Sequence, residues 1–234
     1  MKSRSQLTLS VQLPDDETFA SFEVGDNQSV VNELKLFIGG ESQYQTPAMY
    51  LFGAQSVGKS HLLHASCAHA DTLSQSSICM SFNELMNFSP EVLDGLEFYD
   101  VICLDDVDLI AGKADWEQAV FDLFNRVIEQ QHKLIICGQK SVKQLGITLP
   151  DLVSRLGWGY VESIKPLSDD DKISAIQLRA SQRGLILHLD VAKFLFNRVE
   201  RDMKNLVTSL DELDKASIRD KRKITIPFIK EVLL

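Results

Sequence analysis

Short apolar runs alternate with segments of helical period through the first two thirds of the chain. We interpret residues 48–52, 78–82, 100–104 and 134–137 as strands, and residues 160–164 as a fifth. Strands that alternate with helices form parallel sheets that are covered on both faces. The pattern therefore predicts an α/β fold, a parallel five-stranded αβα sandwich.

One helix is predicted between the third and fourth strands. Trp116, Val120, Phe124 and Val127 recur there at intervals of three and four residues. That spacing places them on one helix face, which we expect to pack on the sheet.

The strand pattern stops after Pro166. Three or four amphipathic helices are predicted instead, over residues 169–183, 190–199, 203–217 and 227–234. Ser168 with Asp171 is typical of a capped helix start, and Gly184 of a helix end. The chain is expected to divide into an extended tail (1–18), an αβα domain (19–165) and a small all-helical domain (166–234).

Composition restricts the class of protein. Hydrophobic residues make up 44% and charged residues 24%, which is typical of a compact globular chain. A formal charge of −9 argues against broad nonspecific binding to nucleic acid, whose affinity comes from cations. Residues 215–223 are locally basic. Such a run is either a solvated helix end or a surface that contacts DNA.

Cysteines and histidines show no metal-binding pattern. Cys67, Cys79, Cys103 and Cys137 stand singly in apolar segments, so they are predicted to be buried thiols. His61 and His64 share a helix face without a third ligand nearby, which favours packing over zinc. With no signal peptide and no apolar run of about 18 residues, we expect a cytoplasmic protein without a membrane span.

A phosphate-binding loop follows the first strand. Its residues are Gly53, Ala54, Gln55, Ser56, Val57, Gly58, Lys59 and Ser60. Glycines let the backbone wrap round phosphate oxygens, and the amides that begin the next helix attract anions. Lys59 is predicted to bridge the β- and γ-phosphates, and the Ser60 hydroxyl to bind Mg²⁺. We include His61, the next residue, in the nucleotide site.

Paired carboxylates end the third strand. Asp105 and Asp106 follow an apolar run, at the sheet edge where ligands of open α/β folds bind. Asp105 is the predicted Mg²⁺ ligand, and Asp106 is predicted to orient the attacking water. After the fourth strand, Gln139 is either a sensor of the γ-phosphate or a solvated strand end.

An arginine precedes the fifth strand. Arg155, in the run from 152 to 156, either donates a cation to a neighbouring subunit's nucleotide or forms an ordinary surface ion pair.

The loop, the paired acids and this arginine, taken in order, resemble the DnaA/Hda family of AAA+ proteins. Residues 19–25 look like the segment that helps to house adenine, which implies nucleotide contacts by Phe22 and Val24. Residues 152–156 resemble the family's arginine-finger box, so the resemblance assigns Arg155 as the finger. Lys204 occupies the place of a second sensor that is usually arginine, and Gln139 replaces a residue that is often acidic.

Two further features select among relatives. Because the chain ends with the helical lid, we expect no helix-turn-helix domain. The protein is therefore not expected to be an initiator. The tail carries Gln6, Leu7, Leu9 and Val11 in a hexapeptide similar to the one that family members insert into the sliding clamp. An amide anchors such a peptide while apolar side chains fill a pocket, although Val11 is smaller than the usual residue.

The resemblance implies a regulator that binds the DNA-loaded clamp, stimulates hydrolysis of DnaA-bound ATP and prevents re-initiation. ADP or ATP with Mg²⁺ is the implied ligand, with weak hydrolysis of its own. Implied partners are DnaA, the polymerase III sliding clamp (β subunit) and further copies of this chain. We expect the protein to contact DNA mainly through the clamp. Through the same contact we expect it to associate with the nucleoid.

Three alternatives stay open. A DnaC-like helicase loader shares the core but needs a helicase-binding N-terminal region. A P-loop kinase needs an acceptor pocket and mobile lid arginines. A binding module with a degenerate site is disfavoured by the intact Lys59, Ser60 and Asp105.

Overall fold

A five-stranded parallel sheet forms the centre of the larger part of the protein. The computed structural model describes residues 17–44 and 46–233. Its strands are β1 (Ala48–Phe52), β2 (Ser77–Ser81), β3 (Val101–Asp105), β4 (Lys133–Gly138) and β5 (Tyr160–Ser163). Their order is β2-β3-β4-β1-β5, and every pairing is parallel. The predicted fold class is confirmed.

Helices cover both faces of this sheet. They are α1 (Gln28–Gly39), α2 (Lys59–Thr72), α3 (Phe82–Leu85), α4 (Ala114–Gln130) and α5 (Pro150–Leu156). Within β1, Met49 and Leu51 join the apolar core that α1 and α2 complete, whereas Tyr50 joins the core that α4 and α5 complete. Side chains of a strand alternate between faces, so burial on both sides gives the continuous apolar runs of the sequence.

The second strand is shifted by one residue from its predicted position. It ends at Ser81, whose hydroxyl accepts a hydrogen bond from the Asn83 amide at 3.1 Å and begins α3. Phe82, predicted as strand, is fully buried in that helix. Its apolar character reflects the core beneath α3 and not a strand.

Four helices form the C-terminal part around a core of their own. They are α6 (Asp169–Gln182), α7 (Leu189–Phe196), α8 (Met203–Asp220) and α9 (Ile226–Leu233). The predicted capping box is present, since Ser168 and Asp171 exchange hydrogen bonds at the start of α6. Gly184 follows the end of α6 with φ +74°, as a helix-ending glycine does.

The boundaries of α7 and α8 differ from the prediction. Helix α7 ends at Phe196, three residues early, and α8 continues to Asp220, three residues late. Asp202 starts α8 by accepting the Asn205 amide at 3.0 Å. Amphipathic periodicity locates a helix better than it locates its ends.

Burial of the cysteines follows the prediction. All four are buried, and Cys67 Sγ lies 3.7 Å from Cys103 Sγ between α2 and β3. Among the helices of residues 17–44 and 46–233, none combines the length and apolar character that a membrane span needs.

A buried glutamate joins α4 to the segment that precedes α5. The fully buried Glu117 carboxylate accepts hydrogen bonds from the Gly112 amide (2.7 Å), the Thr148 amide and hydroxyl (2.9 and 2.8 Å) and the Leu149 amide (2.8 Å). Burial raises the pKa of Glu117, but these donors outweigh burial and hold the pKa below its usual value. The ionised side chain thereby fixes the start of α5.

Replacing Glu117 with glutamine is expected to lower the free energy of unfolding by about 2 kcal/mol, because buried amides then lose a charged acceptor. Urea unfolding followed by circular dichroism measures the change. Glu129→Gln, on the exposed side of α4, is the matched control and should change it by less than about 0.5 kcal/mol. Equal effects at the two positions would contradict this account of α5.

Candidate functional site

A cleft of about 440 Å³ lies where the sheet, the N-terminal segment and the helical part meet. Four groups of side chains line it: the N-terminal segment before α1, the loop after β1 with the start of α2, the ends of β3 and β4, and helices α6 and α8. From the predicted site residues, these include Phe22, Gln55, Ser56, Val57, Gly58, Lys59, Ser60, His61, Asp105, Asp106, Gln139 and Lys204. The fold thus brings together residues from widely separated parts of the chain.

The loop after β1 has the backbone geometry that a phosphate cradle requires. Gly58 has φ +98° and precedes α2, and Ser56 also has a positive φ of 62°. A Cβ at Gly58 would lie 2.7 Å from Phe22 Cε2, so only glycine fits beneath that ring. The first amides of α2 therefore face the cleft, at the helix end that attracts anions.

Lys59 is bound to its own loop. Its side chain is buried, and Nζ donates to the carbonyl oxygens of Gly53 at 2.9 Å and Ala54 at 2.8 Å. These contacts hold the ammonium group beside the helix N-terminus. A phosphate bound there would meet both the cation and the amides.

The paired acids have distinct environments. Asp105 is buried, its Oδ2 accepts from the Ser60 hydroxyl at 2.5 Å, and its Oδ1 accepts from the Asp106 amide at 2.9 Å. Burial, with a smaller contribution from the Asp106 charge, raises the pKa of Asp105 despite the Ser60 hydrogen bond. Asp106 has φ +58°, and its Oδ2 accepts from the Ser81 hydroxyl at 2.9 Å.

The donor set fits magnesium. The Ser60 hydroxyl and the Asp105 carboxylate oxygen are adjacent, 2.5 Å apart, and Mg²⁺ binds through one or two such oxygens together with phosphate and water. A bound divalent cation would also favour the ionised form of Asp105.

Gln139 enters the cleft between the loop and the paired acids, because β4 lies between β1 and β3. Its backbone amide donates to Asp108 Oδ2 at 2.6 Å. Asp108 was not predicted as a site residue, although its carboxylate orients the end of β4 through this hydrogen bond. The only signal was a third acid shortly after the predicted pair.

The helical part contributes two cations to the cleft. Lys204 lies at the start of α8, as the prediction placed it, and is exposed. Arg179 of α6 also lines the cleft and is largely buried, with its guanidinium 2.5 Å from the Glu17 carboxylate. Arg179 was not predicted as a site residue, because its position in an amphipathic helix is that of an ordinary surface residue.

Of the two remaining predicted nucleotide contacts, His61 lines the cleft and Val24 does not. His61 Nε2 lies 2.9 Å from the Thr18 carbonyl oxygen and 3.0 Å from Ser21 Oγ, and burial lowers its pKa. The ring therefore braces the N-terminal segment at the cleft wall. Val24 packs against the core beside α1 and is not among the cleft's lining residues.

Arg155 lies apart from the cleft, in the last turn of α5. Its guanidinium carbon is 5.9 Å from the centroid of the Phe124 ring and 5.3 Å from that of Trp158, which is half exposed. With Phe121, Asp151 and Ser154 it lines a shallow surface depression. The two rings hold the cation at the surface.

The predicted clamp-binding residues Gln6, Leu7, Leu9 and Val11 lie outside the described residues.

Two family models match the chain in succession. The family described as "Bacterial DnaA ATPase domain" matches residues 13–163. The family described as "Hda, lid domain" matches residues 169–233. The first match spans the sheet and its helices, and the second spans the four C-terminal helices.

Solved structures share the fold. Domain III of the Thermotoga maritima replication initiation protein DnaA has a TM-score of 0.80 at 18% identity, covering 95% of this chain and 97% of that chain. DnaA from Aquifex aeolicus, bound to AMPPCP, has a TM-score of 0.69 at 21% identity, covering 90% and 69%. The Thermotoga maritima RuvB branch migration motor has a TM-score of 0.63 at 14% identity, covering 92% and 72%.

Proposed function

Because the chain belongs to the Hda/DnaA family of AAA+ proteins, a family of DNA replication, we propose that it regulates bacterial replication initiation by stimulating hydrolysis of DnaA-bound ATP. Arg155 is the residue that acts on that ATP. The observation that carries the proposal is the position of Arg155, a cation displayed at the surface and away from the chain's own cleft.

A cation in this position suits a reaction on a partner. Hydrolysis of a γ-phosphate places developing negative charge on its oxygens, and an arginine donated by another protein can raise the rate by about 10³ to 10⁵. Arg155 has one face against aromatic rings and lies beside the exposed Trp158, so a docking partner can reach it. The same geometry also suits pairing between copies of this chain.

The cleft is proposed to hold ADP or ATP with Mg²⁺. Lys59 and the first amides of α2 bind the phosphates, Ser60 and Asp105 hold the metal, and Asp106 orients water. The metal neutralises phosphate charge when it is bound. We propose that turnover here is slow and that the nucleotide chiefly orders the helical lid, which contributes Lys204 to the cleft wall.

The N-terminal tail (1–18) is proposed to tether the αβα domain (19–165) and the lid (166–234) to the sliding clamp on DNA. Residues 6–11 supply the peptide, and the tether raises the local concentration of Arg155 near newly loaded clamps. DNA is then contacted mainly through the clamp. Because the clamp is loaded only once replication has begun, the protein prevents re-initiation only after that point. The protein acts in the cytoplasm, at the nucleoid.

Release of labelled phosphate tests the function. DnaA loaded with radiolabelled ATP is mixed with this protein and ADP, with or without clamp loaded on DNA. We expect fast hydrolysis only when protein and loaded clamp are both present. Equal survival of DnaA-bound ATP in all mixtures would refute the proposal.

Replacing Gln6 with alanine should weaken binding to the clamp by about tenfold, because one amide anchor in a short peptide is lost. Surface plasmon resonance on immobilised clamp measures this. Gln12→Ala, just beyond the hexapeptide, is the matched control and should bind like the parent. Equal losses for the two variants would show that residues 6–11 are not the tether.

A further inference from the structure

An ion cluster closes one end of the cleft. The Glu17 carboxylate lies 2.5 Å from His64 Nδ1 of α2 and 2.5 Å from the Arg179 guanidinium of α6. Only 16% of the Glu17 side chain and 11% of the Arg179 side chain are exposed. The cluster joins the N-terminal segment, the helix after the phosphate loop and the lid.

Glu17 is ionised in this cluster. Burial raises its pKa, but hydrogen bonds from His64 and Arg179 outweigh burial and lower the pKa to about 2. A buried carboxylate with this pKa fixes the arginine side chain that it holds.

The cluster lies away from the phosphate end of the cleft. Gly58 precedes α2, and His64 is the sixth residue of that helix, about one and a half turns from its start at about 5.4 Å per turn. Asp105 and Gln139, at the ends of β3 and β4, also line the cleft, and under the proposed function they face the γ-phosphate. A nucleotide with its phosphates at the start of α2 therefore extends its nucleoside toward Arg179.

We propose that Arg179 contacts the nucleoside part of a bound nucleoside di- or triphosphate, and that Glu17 is the residue that positions it. A guanidinium offers five donors in a planar fork, and ribose and base present hydroxyl, carbonyl and ring-nitrogen acceptors. The inference rests on the proposed nucleotide binding, and it is independent of Arg155 and of the clamp.

Calorimetric titration with ADP and with inorganic pyrophosphate separates the nucleoside from the phosphates. We expect Arg179→Ala to weaken ADP binding by about 10- to 100-fold and to change pyrophosphate binding by less than about twofold, because a charged hydrogen bond to the nucleoside is lost. Glu17→Gln should weaken ADP binding in the same selective way, by a smaller factor.

Arg183→Ala is the matched control. Arg183 follows α6, pairs with Asp211 and does not line the cleft, so its loss should leave both affinities unchanged. Circular dichroism establishes that each variant is folded. If the Arg179→Ala variant is not folded, Arg179→Lys is used in its place. We expect the same selective loss of ADP affinity, because lysine lacks the planar fork of donors that a guanidinium has.

Three results would overturn an assignment. Unchanged ADP affinity in folded Arg179 variants, or equal weakening of ADP and pyrophosphate, would show that Arg179 does not contact the nucleoside. Selective loss on Arg179→Ala without any change on Glu17→Gln would refute the role of Glu17. A parent protein that binds neither ligand would instead refute the proposed nucleotide binding.

Discussion

Replacing Arg155 with alanine is expected to reduce the stimulation of DnaA-bound ATP hydrolysis by about 10³-fold, to the level of DnaA alone. The guanidinium lies on the surface against Phe124 and Trp158, and its loss leaves the cleft intact. Binding of ADP by the variant should therefore equal that of the parent. Single-turnover release of labelled phosphate measures the rate.

Arg155→Lys makes the prediction sharper. Lysine keeps the charge but lacks the planar fork that contacts two phosphate oxygens together, so we expect it to recover less than about a tenth of the lost rate. Arg198→Ala is the matched control, since Arg198 is an exposed arginine that also lies over a ring, 5.3 Å from the centroid of Phe194. A normal rate with Arg155→Ala would remove Arg155 from the mechanism.

The fold was predictable because its signals are local. Burial on both faces gives continuous apolar runs in β1 and β3, and the loop after β1 has its own glycine spacing. The capping box at Ser168 is equally local. Strand order is not local, so no run of residues indicated that β4 separates β1 from β3.

The residues that the sequence failed to indicate act through distant partners. Glu17 and Arg179 are 162 positions apart, and Glu117 holds amides 31 and 32 positions away. Asp108 reaches the Gln139 amide across 31 positions. A single sequence shows which residues are charged but not which of them lie close together in the fold. These groups therefore look like ordinary surface residues until the chain is folded.

The separation of Arg155 from the cleft also depends on the fold. The sequence places Arg155 soon after Gln139, and both are polar residues near strand ends. In the structure Gln139 enters the cleft, whereas Arg155 lies on a separate surface beside Trp158. Because Arg155 does not line the cleft, it is placed to act on another molecule, which is why the proposed function rests on this residue.

Replacing Lys59 with alanine is expected to lower the affinity for ADP by about 100-fold. The Lys59 ammonium is held within 3 Å of two loop carbonyls, at 2.9 and 2.8 Å, beside the first amides of α2. A charged hydrogen bond to phosphate at a largely buried site contributes up to about 3 kcal/mol, which corresponds to roughly 100-fold in affinity. Titration calorimetry with ADP measures the loss.

The matched control for this loss is Lys140→Ala, since Lys140 follows Gln139 but does not line the cleft. That variant should bind ADP like the parent. Because Lys59 is proposed to bind the phosphates, Lys59→Ala should weaken the binding of pyrophosphate as strongly as that of ADP, in contrast to the selective loss expected at Arg179. Affinity within about threefold of the parent would mean that the loop amides bind the phosphates without this cation, and the site would then depend on the helix N-terminus alone.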